Sequence, residues 1–458
     1  LWRAHGSAYT IKWLKASSVA LQRKIGDNPM RSLRAIDKDL PLPRLTNGVP
    51  RFINRLDRGL IRNGHLATIR FYLGLLNLYR VLEAPGVLKL STITDPFKGD
   101  TQYLESLKDM ISSKKLIFFD LLPGFERIRG MSLSPRSFIM SRSASPSNKM
   151  AAHGIFTDVY LLNKYRPDLW QDILDYLYIT KPKVTKFVRQ LQFAYATAMS
   201  LEKGIKVQSN GVDAFTAGLR FKPAAEHGNY EGSALSQFAI KVEPAGKLRL
   251  FALVDTVTQS TMAPLHDACF ALLKLIPNDG TFNQEESIRR SQLKAVNANK
   301  AFSFDLTAAT DRLPAVLISL LFEEIWKLPG LGPLWLSIMT NRDFAFTDKA
   351  ATEYKVARGP YRYAVGQPMG ALSSWAGLAL IHHWLVQLAA AKVHIRKYGD
   401  LSAFEWNLAY EILGDDLVIF DSEIADEYLI IMTGIGCEIN INKSIISRNR
   451  PVFEFAKR

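Results

Sequence analysis

The chain has 458 residues, 48% of them hydrophobic, which is enough apolar material for a sizeable core and excludes a disordered chain. Its 58 lysines and arginines outnumber 43 acids, and the net charge of +15 favours a polyanionic partner, either nucleic acid or an anionic membrane. The two cysteines, Cys269 and Cys437, sit among apolar residues and offer neither a zinc-binding spacing nor a disulfide framework.

The first 26 residues carry Arg3, Lys12, Lys15, Arg23 and Lys24 without an acid, a faint likeness to a transit peptide. Apolar residues three and four apart predict instead an ordinary basic amphipathic helix over 8–25, and a second helix over 66–82. The start at Leu1 rather than Met leads us to expect a natural N-terminus further upstream. Residues 131–149 are rich in Ser, Pro and Arg and read as a loop or domain junction. Residues 156–202 read as two helices parted near Lys181-Pro182, with a core-facing stripe that includes Tyr160, Trp170 and Leu177.

Beyond residue 240 short apolar runs alternate with helical segments, the pattern of an α+β or α/β domain. Strands are expected at 247–254, at 301–306, and at 409–413 with 416–420. From Tyr363 to Ala391 there is no Asp, Glu, Lys or Arg, so this stretch is long enough to cross a bilayer. Gln367, Pro368, Ser373, Ser374, His382, His383 and Gln387 interrupt it, and a buried helix behind a glycine loop is the better reading, with no stable membrane span.

The acids form a pattern. Asp305 ends a strand-like run and Asp311 follows six residues later, past a turn. Gly414-Asp415-Asp416 lies between two apolar runs, as the tip of a β-hairpin does. A lone Gly-Asp-Asp is usually just a turn, and Asp311-Arg312 alone reads as a helix cap with a surface ion pair. Taken together, however, a strand-end acid and two hairpin acids can converge on one point, where mutual repulsion leaves them ionised only if cations bind. Hard oxygen donors select Mg²⁺ or Mn²⁺, and two such ions can clamp the attacking and leaving oxygens of a phosphoryl transfer.

These strings resemble the motifs of viral RNA-dependent RNA polymerases, most closely those of mitoviruses within the narnavirus-like group. SFDLTAATDRLP (303–314) is similar to motif A, the run 366–387 to motif B, LGDDLVIF (413–420) to motif C and GCEININKS (436–444) to motif D. FEFAKR (453–458) resembles motif E, and KVEPAGKLRLFALVD (241–255) motif F. The resemblance implies a right-hand polymerase fold of the α+β class, with fingers and palm present, the thumb largely missing, and the acidic hairpin on an antiparallel palm sheet. It implies a helical fingers region over 1–130, fingers with a template loop and basic strand over 131–300, and a palm over 301–458 with a fingers excursion near 322–365. It also implies template-directed RNA synthesis from ribonucleoside triphosphates, with RNA template and product as partners, in the mitochondrion of a host. No protein partner is inferable.

By the same resemblance Asp305, Asp415 and Asp416 would hold the two ions, Asp416 more weakly. Asp311 would accept a hydrogen bond from the ribose 2′-hydroxyl. Reverse transcriptases of similar shape tend to carry a bulky residue at that place, and this is the main sequence reason to expect RNA rather than DNA as product. Gly366, Gln367, Pro368 and Gly370 would form a pliable loop against the template, and Ser373 and Ser374 would bond a ribose or Asp311. No Asn follows later in motif B, as it does in many relatives outside the group. Adjacent His382 and His383 point about 100° apart on a helix, so both cannot face one site, and packing is expected of either. Lys443 would protonate pyrophosphate, against the bland alternative of a solvated lysine. Lys241, Lys247 and Arg249 would face the triphosphate, with Arg220 and Lys222 in the same wall. Three rivals stand beside this reading: a reverse transcriptase-like enzyme, an inactive integrated viral fragment, and a basic RNA-binding module.

Overall fold

The computed structural model describes residues 1–37, 41–113, 117–181, 186–202 and 235–457. Helix α1 (Trp2–Ile25) runs past the predicted start, and Arg23 and Lys24 in its last turn suit the negative end of the helix dipole. A two-residue ladder, β1 (Leu45–Thr46) with β2 (Val49–Pro50), leads to α2 (Arg55–Arg62) and α3 (Leu66–Leu76). Asn54 caps α2 by accepting from the Asp57 amide at 2.8 Å. Leu21, Val49, Ile53, Ile61, Ile69, Tyr72 and Leu76 close a small core of their own around these elements.

After α4 (Thr101–Ser112), residues 151–202 form three helices, not two: α5 (Ala151–Tyr165), α6 (Pro167–Ile179) and α7 (Lys186–Glu202). The extra break falls at Pro167. A proline has no amide to give to the preceding turn, so it ends α5 and is accommodated at the first position of α6.

The strand expected at 247–254 is β4 (Lys247–Val254), paired along its whole length with β3 (Ser236–Glu243), which had not been anticipated as a strand. Helices α8 (Thr256–Leu273), α9 (Gln284–Ala298), α10 (Ala315–Trp326), α11 (Leu331–Thr340), α12 (Ser374–Tyr398) and α13 (Ser422–Gly434) then enclose an antiparallel sheet. Its strands are β5 (Ala301–Phe304), β6 (Tyr410–Leu413), β7 (Asp416–Ile419) and β8 (Ile445–Ser447), in the order β6-β7-β5-β8. All four residues of β5 are buried, as a central strand covered on both faces requires. One continuous apolar core runs from Ile93 to Cys437 and takes in Phe302, Phe304, Trp335 and Trp384.

Among the described residues α12 alone is long and apolar enough to cross a membrane, but 94% of its most apolar window is buried in the protein. Both cysteines are buried and free. Asp255 and Arg342, each fully buried, pair at 2.7 Å, and Asp255 also caps α8 through the Thr258 amide. Removing either partner would leave a naked charge in the core, so this pair ties α8 to the end of α11.

Candidate active site

The sheet brings the acids together through register. Phe304 pairs with Leu417, so one step further Asp305 lies across from Asp416. In the β6–β7 hairpin Leu413 pairs with Asp416, which leaves Gly414 and Asp415 as a two-residue turn. Gly414 has φ 64°, the left-handed value that a tight hairpin turn needs at its first position and that glycine adopts without strain. The backbone beyond β5 is pinned too: Asp305 donates its amide to Ser444 Oγ at 3.1 Å and accepts from the Asn440 amide at 2.9 Å.

Electrostatics follow from this crowding. Asp305 is exposed, yet the surrounding protein removes enough water to raise its pKa. Lys443 and Lys15 oppose that shift, while Glu454 and Asp415 add to it. Asp416 is pushed up to about 6, first by burial, then by Asp415 and Glu454. Among the described residues none of Asp305, Asp415 and Asp416 has an ion-pair partner within 4 Å, and no three His, Cys, Asp or Glu side chains converge as a ready metal cage.

Two polar contacts hold the hairpin tip from behind. His382 of α12 is fully buried, with Nδ1 at 2.8 Å from the Gly414 carbonyl and Nε2 at 2.8 Å from the Tyr428 hydroxyl. An imidazole that donates Nδ1–H to the carbonyl and accepts from the tyrosine satisfies all three groups in its neutral form. Burial pulls the pKa of His382 down to about 4, which keeps it in that form. The Tyr428 ring in turn stacks on Phe304 at 5.7 Å, one residue before Asp305. His383 turns away, toward the Tyr410 hydroxyl and Asp279. The angular argument from the sequence therefore holds, but the expectation of mere packing misses what His382 touches.

Asp311 accepts from Thr92 Oγ1 at 2.7 Å, and burial raises its pKa against that bond and the charge of Arg312. A cavity of about 530 Å³ opens beside it, lined in part by Lys89, Thr92, Lys98, Arg312 and Glu438. The Asp311 turn is stitched to the glycine loop: the Gly366 amide donates to the Asp311 carbonyl, and the Gln367 amide to the Thr310 carbonyl, each at 3.0 Å. A Cβ on Gly366 would overlap the Thr310 carbonyl oxygen, so close approach of two backbones, not flexibility, requires this glycine.

Several predicted contacts are corrected here. Ser373 is fully buried and its Oγ accepts from Trp335 Nε1 at 2.8 Å, so this hydroxyl does not reach toward Asp311 or an open site. Ser374 is also buried, and its Oγ has no partner among the described residues. Gln367, expected against template, is fully buried and donates to the Ser374 carbonyl at 2.9 Å. Pro368 is buried, whereas Gly370 is exposed next to β4. For Gln367 the physical reason is plain: a loop this tight uses a polar side chain of its own to satisfy buried backbone.

On the β3–β4 hairpin Arg249 bonds Glu243 at 2.9 Å, and Lys247 lies 3.8 Å from the same carboxylate. Both cations thus share a face, as their alternation predicts, with Glu243 between them. Lys241 pairs in register with Arg249. Arg220 and Lys222 lie outside the described residues. Sequence reading missed Lys15 and Glu454, which join this charge cluster from opposite ends of the chain; only the fold brings them there.

A family model described as mitovirus RNA-dependent RNA polymerase matches residues 131–458, and the chain belongs to that family. Over its whole length the chain is 30% identical to the RNA-directed RNA polymerase of Cryphonectria parasitica mitovirus 1, and it spans 51% of that protein. Two uncharacterized mitochondrial proteins of Arabidopsis thaliana are also similar. One is 35% identical over 41% of this chain and 69% of its own length, the other 36% identical over 37% of this chain and 76% of its own.

Proposed function

We propose that this chain carries the catalytic centre of an RNA-directed RNA polymerase, adding ribonucleotides to a 3′-hydroxyl on an RNA template. The observation that carries the reading is the register that sets Asp305 across from Asp416, beside the Asp415 turn, in a chain of this family. The β5–β8 sheet would be the palm, and the β3–β4 hairpin with the helices around it the fingers. The proposed setting is a mitochondrion, which the plant mitochondrial relatives favour.

The donor set fits a hard divalent cation: three carboxylates lacking ion-pair partners among the described residues, two of them with raised pKa values. Asp305, Asp415 and Asp416 would hold two ions, Mg²⁺ or Mn²⁺, which when bound activate a 3′-hydroxyl and neutralise departing pyrophosphate. The chain's own groups do the rest. Lys247 and Arg249 hold phosphate oxygens, and Arg249 must exchange Glu243 for them. Lys443 supplies a proton to pyrophosphate. Asp311 receives the ribose 2′-hydroxyl in place of Thr92.

Primer extension on an RNA template with Mg²⁺ tests this, comparing ribonucleotides with deoxyribonucleotides. Ribonucleotide-dependent product that Asp415→Asn removes is expected. Preference for deoxyribonucleotides would mean a reverse transcriptase. RNA binding without synthesis, indifferent to Mg²⁺, would leave an inert copy or a binding module.

A further inference from the structure

We propose that Lys15, on the N-terminal helix and outside the family-matched residues, is a phosphate-binding residue of the active site that takes the triphosphate or the pyrophosphate leaving group. The proposal rests on the polymerase reading for its substrate, but its geometry does not.

Helix α1 is fastened along the site by its second half. Arg23, 8% exposed, donates from Nη1 to the Ile441 and Asn442 carbonyls at 3.2 and 3.3 Å, immediately before Lys443. Gln22 donates to Glu454 Oε2 at 2.9 Å, and the Glu454 amide donates to Ser303 Oγ at 3.1 Å, two residues before Asp305. A Cβ on Gly26 would lie 3.4 Å from Ile445 Cγ2, so the helix rests directly on β8. Lys15 precedes Gln22 by two turns and so shares its face.

That face aims Lys15 into the charge cluster. The groups acting on its ammonium are Lys443, Asp305, Lys247 and Glu454, after burial, which lowers its pKa most. Three lysines from three distant segments thus act on one another and on one group of acids. Cations so placed repel one another and are held together best by an anion that each can touch. A pyrophosphate moiety carries that charge. The alternative is that Lys15 only neutralises Asp305, which predicts no effect on phosphate affinity.

The test uses the full chain with Lys15→Met, which keeps the apolar stem, and Lys15→Arg, with Lys12→Ala as a control on the exposed side. Magnesium pyrophosphate binding is measured by isothermal titration, and KM for ribonucleotides by primer extension, in variants whose melting temperature matches the parent. Lys15→Met is expected to weaken pyrophosphate binding and raise KM by roughly tenfold each, with kcat within about twofold, and Lys15→Arg to restore both. Unchanged pyrophosphate affinity in folded Lys15→Met overturns the proposal. A parent chain that makes no RNA sinks the polymerase reading instead, and the titration alone then decides Lys15.

Discussion

One hairpin carries two kinds of carboxylate. Glu411, on β6, is fully buried and fully answered: Arg290 and Lys294 each pair with it at 2.7 Å, and Ser287 donates to it at 2.6 Å. Four residues on, Asp415 and Asp416 stand at the tip with no ion-pair partner within 4 Å among the described residues, and Asp416 is pushed up to about 6. The same chemical group serves opposite ends. Where the protein supplies its own cations the acid fastens α9 to the sheet. Where it does not, the acid is left for the cation that the proposed function brings.

Four substitutions or conditions break or sharpen this contrast. The largest effect is expected for Asp415→Asn, a loss of synthesis of about a thousandfold or more, worth ~4 kcal/mol of transition-state stabilisation, with melting temperature held or raised. Primer extension and a thermal melt on one preparation check both halves. Glu411→Gln should do the reverse: stability falls by about 3 kcal/mol as two cations lose their partner, while the surviving folded fraction keeps its turnover. Equal loss of turnover and stability in that variant would erase the distinction drawn above.

Third, His382 is held neutral by burial, with a folded pKa of about 4 against an unfolded value near 6.5. The unfolded chain therefore takes up the proton first, and stability is lost as pH falls from about 6.5 toward 4, by on the order of 3 kcal/mol. Denaturant midpoints across that range should show the slope, and His382→Phe should flatten it. Smallest, His382→Phe should cost roughly tenfold in kcat at pH 8, because the Gly414 carbonyl loses its donor and the tip loosens. KM for ribonucleotides should stay near the parent value.

Much of this was legible in the residues. Alternation marked 247–254 as a strand, and the apolar runs beside Asp305 and Gly414 marked β5, β6 and β7, since period-two patterning and turn chemistry are local signals. The long uncharged stretch resolved correctly into a buried helix because its polar residues had to find partners inside. What stayed hidden was set by contacts across the chain. Nothing local says that Ser373 serves Trp335, that Gln367 serves its own loop, or that the charge of Lys15 acts on Asp305. Pro167 marks a helix start that the apolar stripe running through it disguises, since a proline at the first turn of a helix looks like a continuation.

The strand order has a consequence for how the chain is made. β5 is the central strand of its sheet, yet its partners β7 and β8 follow about 110 and 140 residues later. At ribosomal rates of roughly 5–20 residues per second, the run Ala301–Phe304 would wait on the order of ten seconds with both edges bare. A short, mostly apolar segment in that state is a template for pairing with the wrong chain. Cells or extracts that make this protein should therefore need holdase chaperones most while residues 305–417 are being synthesised, and yield should respond to slower translation through that interval.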